Sequence, residues 1–275
     1  MTAPSDAAPS TSLRPSLHLT DAVAIIVGIV VGVSIFKVPP IIFGHAGTPA
    51  MGLVLWALGG LLSVIGACCY AELATTYPHS GGDYHYLTVA FGRGVGFLFG
   101  WAQLAVILTS SIGQMAYVFA DYAAEIFPLG PEGSLATAIA VVGILTAVNL
   151  LGVSSGKWAQ NILTLAKVVG LLAIITAGFY LALATEGGAN SSSAAGTGHD
   201  ASMSPAIGLA MVFVLYAFGG WNDSAFVAAE VHDPHRNIPR ALWWGLGLIT
   251  SLYLLVNLAY LAGLGFAGLR TSSAP

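Results

Sequence analysis

Charged side chains are scarce in this chain of 275 residues. Only 7% of the residues are charged and 56% are hydrophobic, whereas a soluble domain normally carries about 25% charged residues. A soluble fold is therefore excluded, and the absence of ~10-residue segments of alternating polarity excludes a membrane β-barrel. We predict an all-α integral membrane protein with about seven transmembrane helices, each above the ~17-residue minimum, over 20–43, 50–71, 95–120, 134–152, 160–184, 205–229 and 240–266.

Several chemical groups are few or missing as well. The two cysteines, Cys68 and Cys69, are adjacent within the second span, so we expect neither a structural disulfide nor a disulfide-linked partner chain. The sequence has no phosphate-binding P-loop, which argues against an ATP-driven pump. Four histidines fall in internal loops without zinc-ligand spacing, namely His79, His85, His232 and His235. We expect no metal, no cofactor and no nucleic-acid partner.

The basic residues are distributed unequally between the two sides of the membrane. If the N-terminus is cytoplasmic, five of them lie on the cytoplasmic side and only Arg270 lies outside; the five are Arg14, Arg93, Lys157, Arg236 and Arg240. The positive-inside rule selects this orientation. We predict a multi-pass protein of the plasma or inner membrane, with a disordered cytoplasmic tail at 1–19, a transmembrane domain at 20–266 and an external tail at 267–275.

Two spans contain residues that an unbroken helix does not favour. The first reads "VGVSIFKVPP" over 31–40 and the sixth reads "FVLYAFGGWNDSAF" over 213–226. Glycine-broken helices five spans apart are typical of inverted-repeat transporters. At such breaks, free N–H groups suit a carboxylate and free carbonyls suit an ammonium group, so the pair fits the backbone of an amino acid. The alternative is close helix packing through the Gly28-x-x-x-Gly32 pattern.

Three longer segments resemble one transporter family. These are "GIVVGVSIFKVP" (28–39), "AELATTYPHSGGDYHYLTVAFG" (71–92) and "LYAFGGWNDSAFVAAEVHDPHRNIPRAL" (215–242). They resemble the amino acid/polyamine/organocation superfamily, especially its L-type amino acid transporter-like permeases. The resemblance covers about residues 20–265 and implies a LeuT-type fold with the first and sixth helices unwound around the substrate. Seven helices would be the first five-helix repeat and two helices of the second, so the fold would be incomplete.

The resemblance also implies roles for individual residues. Backbone groups would hold the substrate carboxylate at Gly32, Val33 and Ser34, and carbonyls would take its amino group at Val30, Tyr216, Ala217 and Gly219. Tyr216 also occupies the position of an aromatic gate, and Asn222 that of a polar residue near the substrate. The family usually has Gly-Ser-Gly in the first helix where this chain has Gly-Val-Ser, so the side chain of Ser34 would stand near the carboxylate.

Charged residues inside the spans are candidate functional residues by default. In sodium-independent relatives a fifth-helix lysine resembles a stand-in for a bound sodium ion, and Lys167 matches it as a coupling residue. The alternative for Lys167 is a side chain that reaches to the membrane surface. Lys37 faces either the external vestibule or an acidic substrate side chain. Asp223 and Glu230 are gate candidates on the inner side.

The function predicted from these features is secondary active transport of amino acids by alternating access. A neutral substrate, sodium independence and either proton coupling or exchange are expected, with an amino acid and the lipid bilayer as partners and a homo-oligomer left open. One alternative is a truncated, non-transporting fragment of such a permease, and another is a polyamine or organic cation transporter. An intramembrane enzyme using Ser34 or Ser224 is disfavoured because no histidine base lies in a membrane core.

The predicted orientation can be tested by chemical labelling. In a background without Cys68 and Cys69, a single cysteine placed within 190–198 is expected to react with a membrane-impermeant maleimide added outside intact cells, because this loop is predicted to be external. A cysteine beside Lys157 is expected to react only after the cells are opened. The reverse pattern would contradict the orientation.

Overall fold

A computed structural model describes residues 18–77, 81–127, 130–151, 153–184, 206–223 and 231–272. Within those ranges every regular segment is helical. The α-helices are α1 (Leu19–Val30), α2 (Ser34–Lys37), α3 (Pro39–Ala46), α4 (Pro49–Thr76), α5 (Gly82–Phe91), α6 (Arg93–Ala102), α7 (Leu108–Ile126), α8 (Pro131–Leu150), α9 (Val153–Ala184), α10 (Ile207–Phe218) and α11 (Pro234–Thr271). A π-helical turn, Gln103–Ile107, joins α6 to α7, and a 3₁₀ turn, Trp221–Asp223, follows α10.

The predicted first span is interrupted between α1 and α2. Val31 leaves the helical region at φ −71° and ψ 84°, and the Gly32 N–H turns back to the Val30 carbonyl at 2.7 Å. Residues 31–33 are called the first break below. Val38 keeps helical angles of φ −88° and ψ −29°, so α2 and α3 continue in one direction. The proline pair at the start of α3 fits there because the first N–H groups of a helix need no intrahelical acceptor.

The predicted sixth span is interrupted after α10. The Gly219 N–H closes the helix on the Tyr216 carbonyl at 3.1 Å. Gly220 then adopts a φ of 101°, a conformation that L-residues with a side chain rarely adopt. Gly219 and Gly220 are called the second break below. The predicted break is therefore confirmed in both spans, while residues 224–230 of the sixth lie outside the described residues.

Five helical segments of the described residues are long and apolar enough to cross a membrane, and α1 and α10 belong to two shorter apolar segments. The protein is accordingly a multi-pass, all-α membrane protein. Within the second of these long segments, Arg93–Ile126, the π-helical turn shifts the hydrogen-bonding register, and the Thr109 hydroxyl donates to the Leu104 carbonyl at 2.9 Å. Such turns are inserted where one extra residue must be accommodated in a helix.

The C-terminal helix continues into the segment predicted as an external tail, 267–275. Helix α11 continues to Thr271, and Leu269 in its last turns is fully buried. Gly265 has a φ of 67° and a ψ of 170° in the middle of this segment. The glycine permits a sharp change of direction, which lets the following turns fold back onto the protein.

The central helix of the structure is α11, which packs against α1, α4 and α9. Three fully buried aromatic rings, Trp56, Phe218 and Tyr253, join α4, α10 and α11, with ring centroids 5.1 to 6.0 Å apart. Aromatic pairs at this separation add packing energy beyond their buried area. The cluster fixes the end of α10, and so the position of the second break, against the central helix.

The closest helix contact in the core joins α9 to α11. A Cβ atom added to Gly178 would collide with the backbone carbonyl of Ala259, and one added to Gly263 would lie 3.4 Å from the Gly178 Cα. Small residues that let two backbones approach are a recurrent device of membrane helix packing. Here they hold the fifth and seventh spans against each other.

Replacing Gly178 by alanine is expected to lower thermal stability in detergent, by roughly 1–3 kcal/mol, because the new methyl group meets backbone and not a movable side chain. Gly170→Ala is the matched control on the same helix, since nothing lies within 4 Å of its added Cβ. Melting of both variants would be followed by intrinsic fluorescence. Equal melting temperatures would contradict the close contact.

Candidate functional site

The first break exposes unpaired backbone donors at the start of α2. The N–H groups of Val33, Ser34 and Ile35 donate to no backbone acceptor in the part of the chain that the structure describes. Ser34 is 8% exposed, whereas Gly32 and Val33 are half-buried. Free N–H groups at a helix start attract a negative charge. These unpaired donors include Val33 and Ser34, for which the resemblance implied carboxylate binding, and that role stays a prediction.

Lys167 contacts the carbonyl side of the same break. Its Nζ donates to the carbonyls of Gly28 at 3.3 Å and Val31 at 3.0 Å. In a continuous helix the Gly28 carbonyl would accept from the Gly32 N–H, but that N–H bonds to Val30 instead. Lys167 thus donates to carbonyls that the break leaves without their helical N–H partners. The resemblance implied this location for Lys167, near carbonyls of the first helix. Its role in coupling stays a prediction.

Tyr253 is a site residue that the sequence reasoning missed. Its hydroxyl donates to the carbonyls of Val30 at 3.0 Å and Ala217 at 3.2 Å, so it touches both helices that are broken. The Ser34 side chain and the Gly32 backbone also lie beside this hydroxyl. The signal in the sequence is a single polar hydroxyl in the apolar run "LYLLV" (252–256). A buried hydroxyl needs a partner, and here the breaks supply it.

The four carbonyls predicted to take a substrate amino group are not equally available. Val30 O already accepts from Gly32 N–H and the Tyr253 hydroxyl. Ala217 O accepts from Tyr253, and Tyr216 O accepts from Gly219 N–H. Gly219 is exposed, and its carbonyl has no recorded donor among the described residues. It is the carbonyl of this set that remains open to a ligand.

The Tyr216 side chain, the predicted gate, contacts the third span. Its hydroxyl donates to Gln114 Oε1 on α7 at 3.0 Å, and the residue is 45% exposed. An exposed ring held by a single polar contact can be released at little energetic cost. The gate role of Tyr216 stays a prediction.

Asn222 and Asp223 contact the loop helix α5. Asn222 Nδ2 donates to Asp83 Oδ2 at 3.3 Å and approaches Asp223 Oδ1 at 3.5 Å. The pKa of Tyr86, on the same helix as Asp83, is raised by burial and then by the Asp83 charge. The amide of Asn222 is therefore engaged by α5 in this conformation. Glu230, the other predicted gate residue, lies outside the described residues.

Lys37 lies beyond the break, near the C-terminal end of α7. Its Nζ is 3.4 Å from Asp121 Oδ2 and 5.2 Å from the centroid of the Tyr122 ring. The Tyr122 hydroxyl donates to the Phe36 carbonyl at 3.3 Å. These contacts hold α2 to the third span. The vestibule-facing orientation of Lys37 stays a prediction.

Other reactive groups of the described residues do not assemble into a site. No group of three or more His, Cys, Asp or Glu side chains in the described ranges could hold a metal ion. Cys68 and Cys69 are both free and exposed. The polar chemistry that the structure does bring together is at the two breaks.

Residues 17–274 match the family described as "Amino acid permease". The chain is similar to b(0,+)-type amino acid transporter 1 of Oryctolagus cuniculus, with 35% identity over 93% of this chain and 53% of the relative. It is similar to Asc-type amino acid transporter 1 of Mus musculus, at 32% over 96% of the chain and 50% of the relative. It is also similar to Large neutral amino acids transporter small subunit 2 of Homo sapiens, at 34% over 96% and 50%. The chain spans about half the length of these curated relatives.

Proposed function

Because this chain belongs to the amino acid permease family, we propose that it carries the substrate-binding breaks of a secondary transporter that moves neutral amino acids by alternating access. The proposal is carried by one observation. At the first break, N–H groups without a backbone acceptor follow carbonyls that accept hydrogen bonds from Lys167. A helix broken in this way has unpaired backbone donors at membrane depth. Such backbone persists in lipid only where protein or a water-filled cavity covers it.

The geometry favours a zwitterion as the ligand. Its carboxylate would accept from the N–H groups of Val33, Ser34 and Ile35, which have no backbone acceptor among the described residues. Its ammonium group would donate to the Gly219 carbonyl, and to those of Val30, Tyr216 and Ala217 where their present donors are displaced. Each of these contacts is a hydrogen bond to a charged group, which is stronger than a neutral one.

A neutral side chain is proposed from the state of the two lysines near the first break. Lys167 donates to two carbonyls, and Lys37 pairs with Asp121. A charged substrate side chain would have to break one of these contacts or be buried without a counter-charge, and burying an unpaired charge is unfavourable. The substrate class is therefore proposed as neutral amino acids.

Sodium independence is proposed from the position of the Lys167 ammonium group. It already supplies a positive charge to the carbonyls of Gly28 and Val31, so a metal cation at that place would be repelled. Transport would then be coupled to a proton or to the exchange of a second amino acid. In this scheme Tyr216 closes the outer side, and Asp223 and Glu230 line the inner side.

The membrane placement is proposed from the charge distribution. With the N-terminus cytoplasmic, in a plasma or inner membrane, the free N–H groups of α2 belong to the outer half of the first span. A transporter is proposed and not an enzyme because the matched relatives are transporters by name.

Two other functions remain as alternatives. The chain spans about half of its relatives, 53% in one case, so residues 1–275 alone could be a non-transporting part of a permease, or could need a second copy to cover the breaks. A polyamine or organic cation transporter would use the carbonyls of the breaks without the N–H groups. Binding measurements separate these alternatives.

Binding of a neutral α-amino acid to the 275-residue chain in nanodiscs is expected to be saturable in a scintillation proximity assay. The matching amino acid amide and the decarboxylated amine should compete at least about tenfold more weakly, because each leaves charged-group hydrogen bonds unmade. Equal competition by the amine would favour the cation transporter. Binding without uptake in liposomes would favour the non-transporting part.

Lys167→Ala is expected to reduce amino acid binding at least about tenfold, since it removes two hydrogen bonds from an ammonium group to the first break. Lys157→Ala is the control, because it removes an equal charge from the first turns of the same helix, α9. Membrane insertion of both variants would be checked by fractionation. A wild-type protein whose binding requires sodium would contradict the proposed role of Lys167.

A further inference from the structure

Tyr253 lies where the two broken helices meet. Its hydroxyl donates to Val30 O, at the end of α1, and to Ala217 O, in the last turn of α10. The residue is fully buried, and its ring is 5.4 Å from Trp56 and 5.1 Å from Phe218, measured between ring centroids. Because the ring is packed on two sides, the position of the hydroxyl is set by the core and not by the breaks themselves.

One hydroxyl proton is shared between two acceptors. A tyrosine hydroxyl has a single proton to donate, so a movement that brings Val30 O closer draws the proton away from Ala217 O. Val30 O also accepts from Gly32 N–H. For Ala217 O, Tyr253 is the only donor recorded among the described residues. Losing the bond would therefore leave a buried carbonyl of the sixth span without a partner, which is energetically costly.

We propose that Tyr253 is a positioning residue that couples the two breaks in opposite senses, so that opening of one tightens the other. The role in transport rests on the proposed function, but the coupling itself does not. Without a shared donor, α1 and α10 would be joined near the breaks only by packing, such as the approach of Gly220 to Ile29. With it, a movement of α1 that withdraws Val30 O leaves the whole hydrogen bond to Ala217 O and holds the end of α10 more firmly.

The chain offers a matched control on the same helix face. Tyr260 lies seven residues after Tyr253, is 4% exposed, and its hydroxyl has no hydrogen-bond partner among the described residues. Tyr260→Phe and Tyr253→Phe remove the same atom from similarly buried rings of α11. Only Tyr253→Phe removes a contact with the breaks.

The coupling is tested by hydrogen–deuterium exchange of the full 275-residue chain in nanodiscs without any amino acid. Tyr253→Phe is expected to speed exchange about threefold to tenfold in peptides covering both 27–35 and 215–222, as loss of one buried hydrogen bond implies. Tyr260→Phe should match the wild type. Faster exchange at one break only, at neither, or equally in both variants would overturn the proposal.

A second variant keeps the test decisive if Tyr253→Phe fails to fold. Lys167→Met loosens the first break directly, because Lys167 contacts Gly28 and Val31 and has no recorded contact with α10 in the described residues. Coupling predicts slower exchange at 215–222 in this variant, because the hydroxyl proton is left to Ala217 O, and no such slowing once Tyr253→Phe is added. An effect confined to 27–35 in Lys167→Met would overturn the coupling. A wild-type chain that binds no amino acid would instead refute the proposed function and leave these results intact.

Discussion

A helix that crosses hydrocarbon can be broken only where other groups take over its hydrogen bonds, and this constraint organises the structure. At the first break the open carbonyls of Gly28, Val30 and Val31 receive donors from Lys167, Tyr253 and Gly32. The N–H groups that follow, at Val33, Ser34 and Ile35, have no such acceptor among the described residues. The two sides of the break are therefore unlike: the acceptor side is closed and the donor side is open. The open side is the one that suits a negatively charged group.

The spans and both breaks could be predicted from the sequence because they depend on local composition. Long apolar runs identify the spans, and glycines beside polar residues identify the interruptions. The contact of Lys167 with first-span carbonyls came from the resemblance and not from any pattern of spacing. Tyr253 could not be predicted, because the chain has ten tyrosines and only the packing of α4, α10 and α11 shows which one reaches the breaks. The same limit applies to the Asn222–Asp83 contact, which joins residues 139 positions apart.

The structure also limits what the resemblance implied. Val30 was expected to offer its carbonyl to a substrate amino group, yet that oxygen already accepts two hydrogen bonds, which fills its acceptor capacity. At the C-terminus, the burial of Leu269 has a local cause, since one glycine, Gly265, turns the chain. In both cases a backbone conformation decides the outcome, and backbone conformation at a single residue is poorly encoded by side-chain patterns.

The close approach of Gly178 to Ala259 has a consequence for movement of the first span. Lys167 is carried by α9 and Tyr253 by α11, and these two helices are in backbone contact at Gly178 and Ala259. The two side chains that contact the first break are therefore carried by helices that pack directly against each other. The half of the span before the break, α1, packs against α11 and is hydrogen-bonded to Lys167 and Tyr253 at carbonyls near its C-terminal end. Because these hydrogen bonds hold one end of α1, we expect tilting about that end to be easier than sliding along the helix axis.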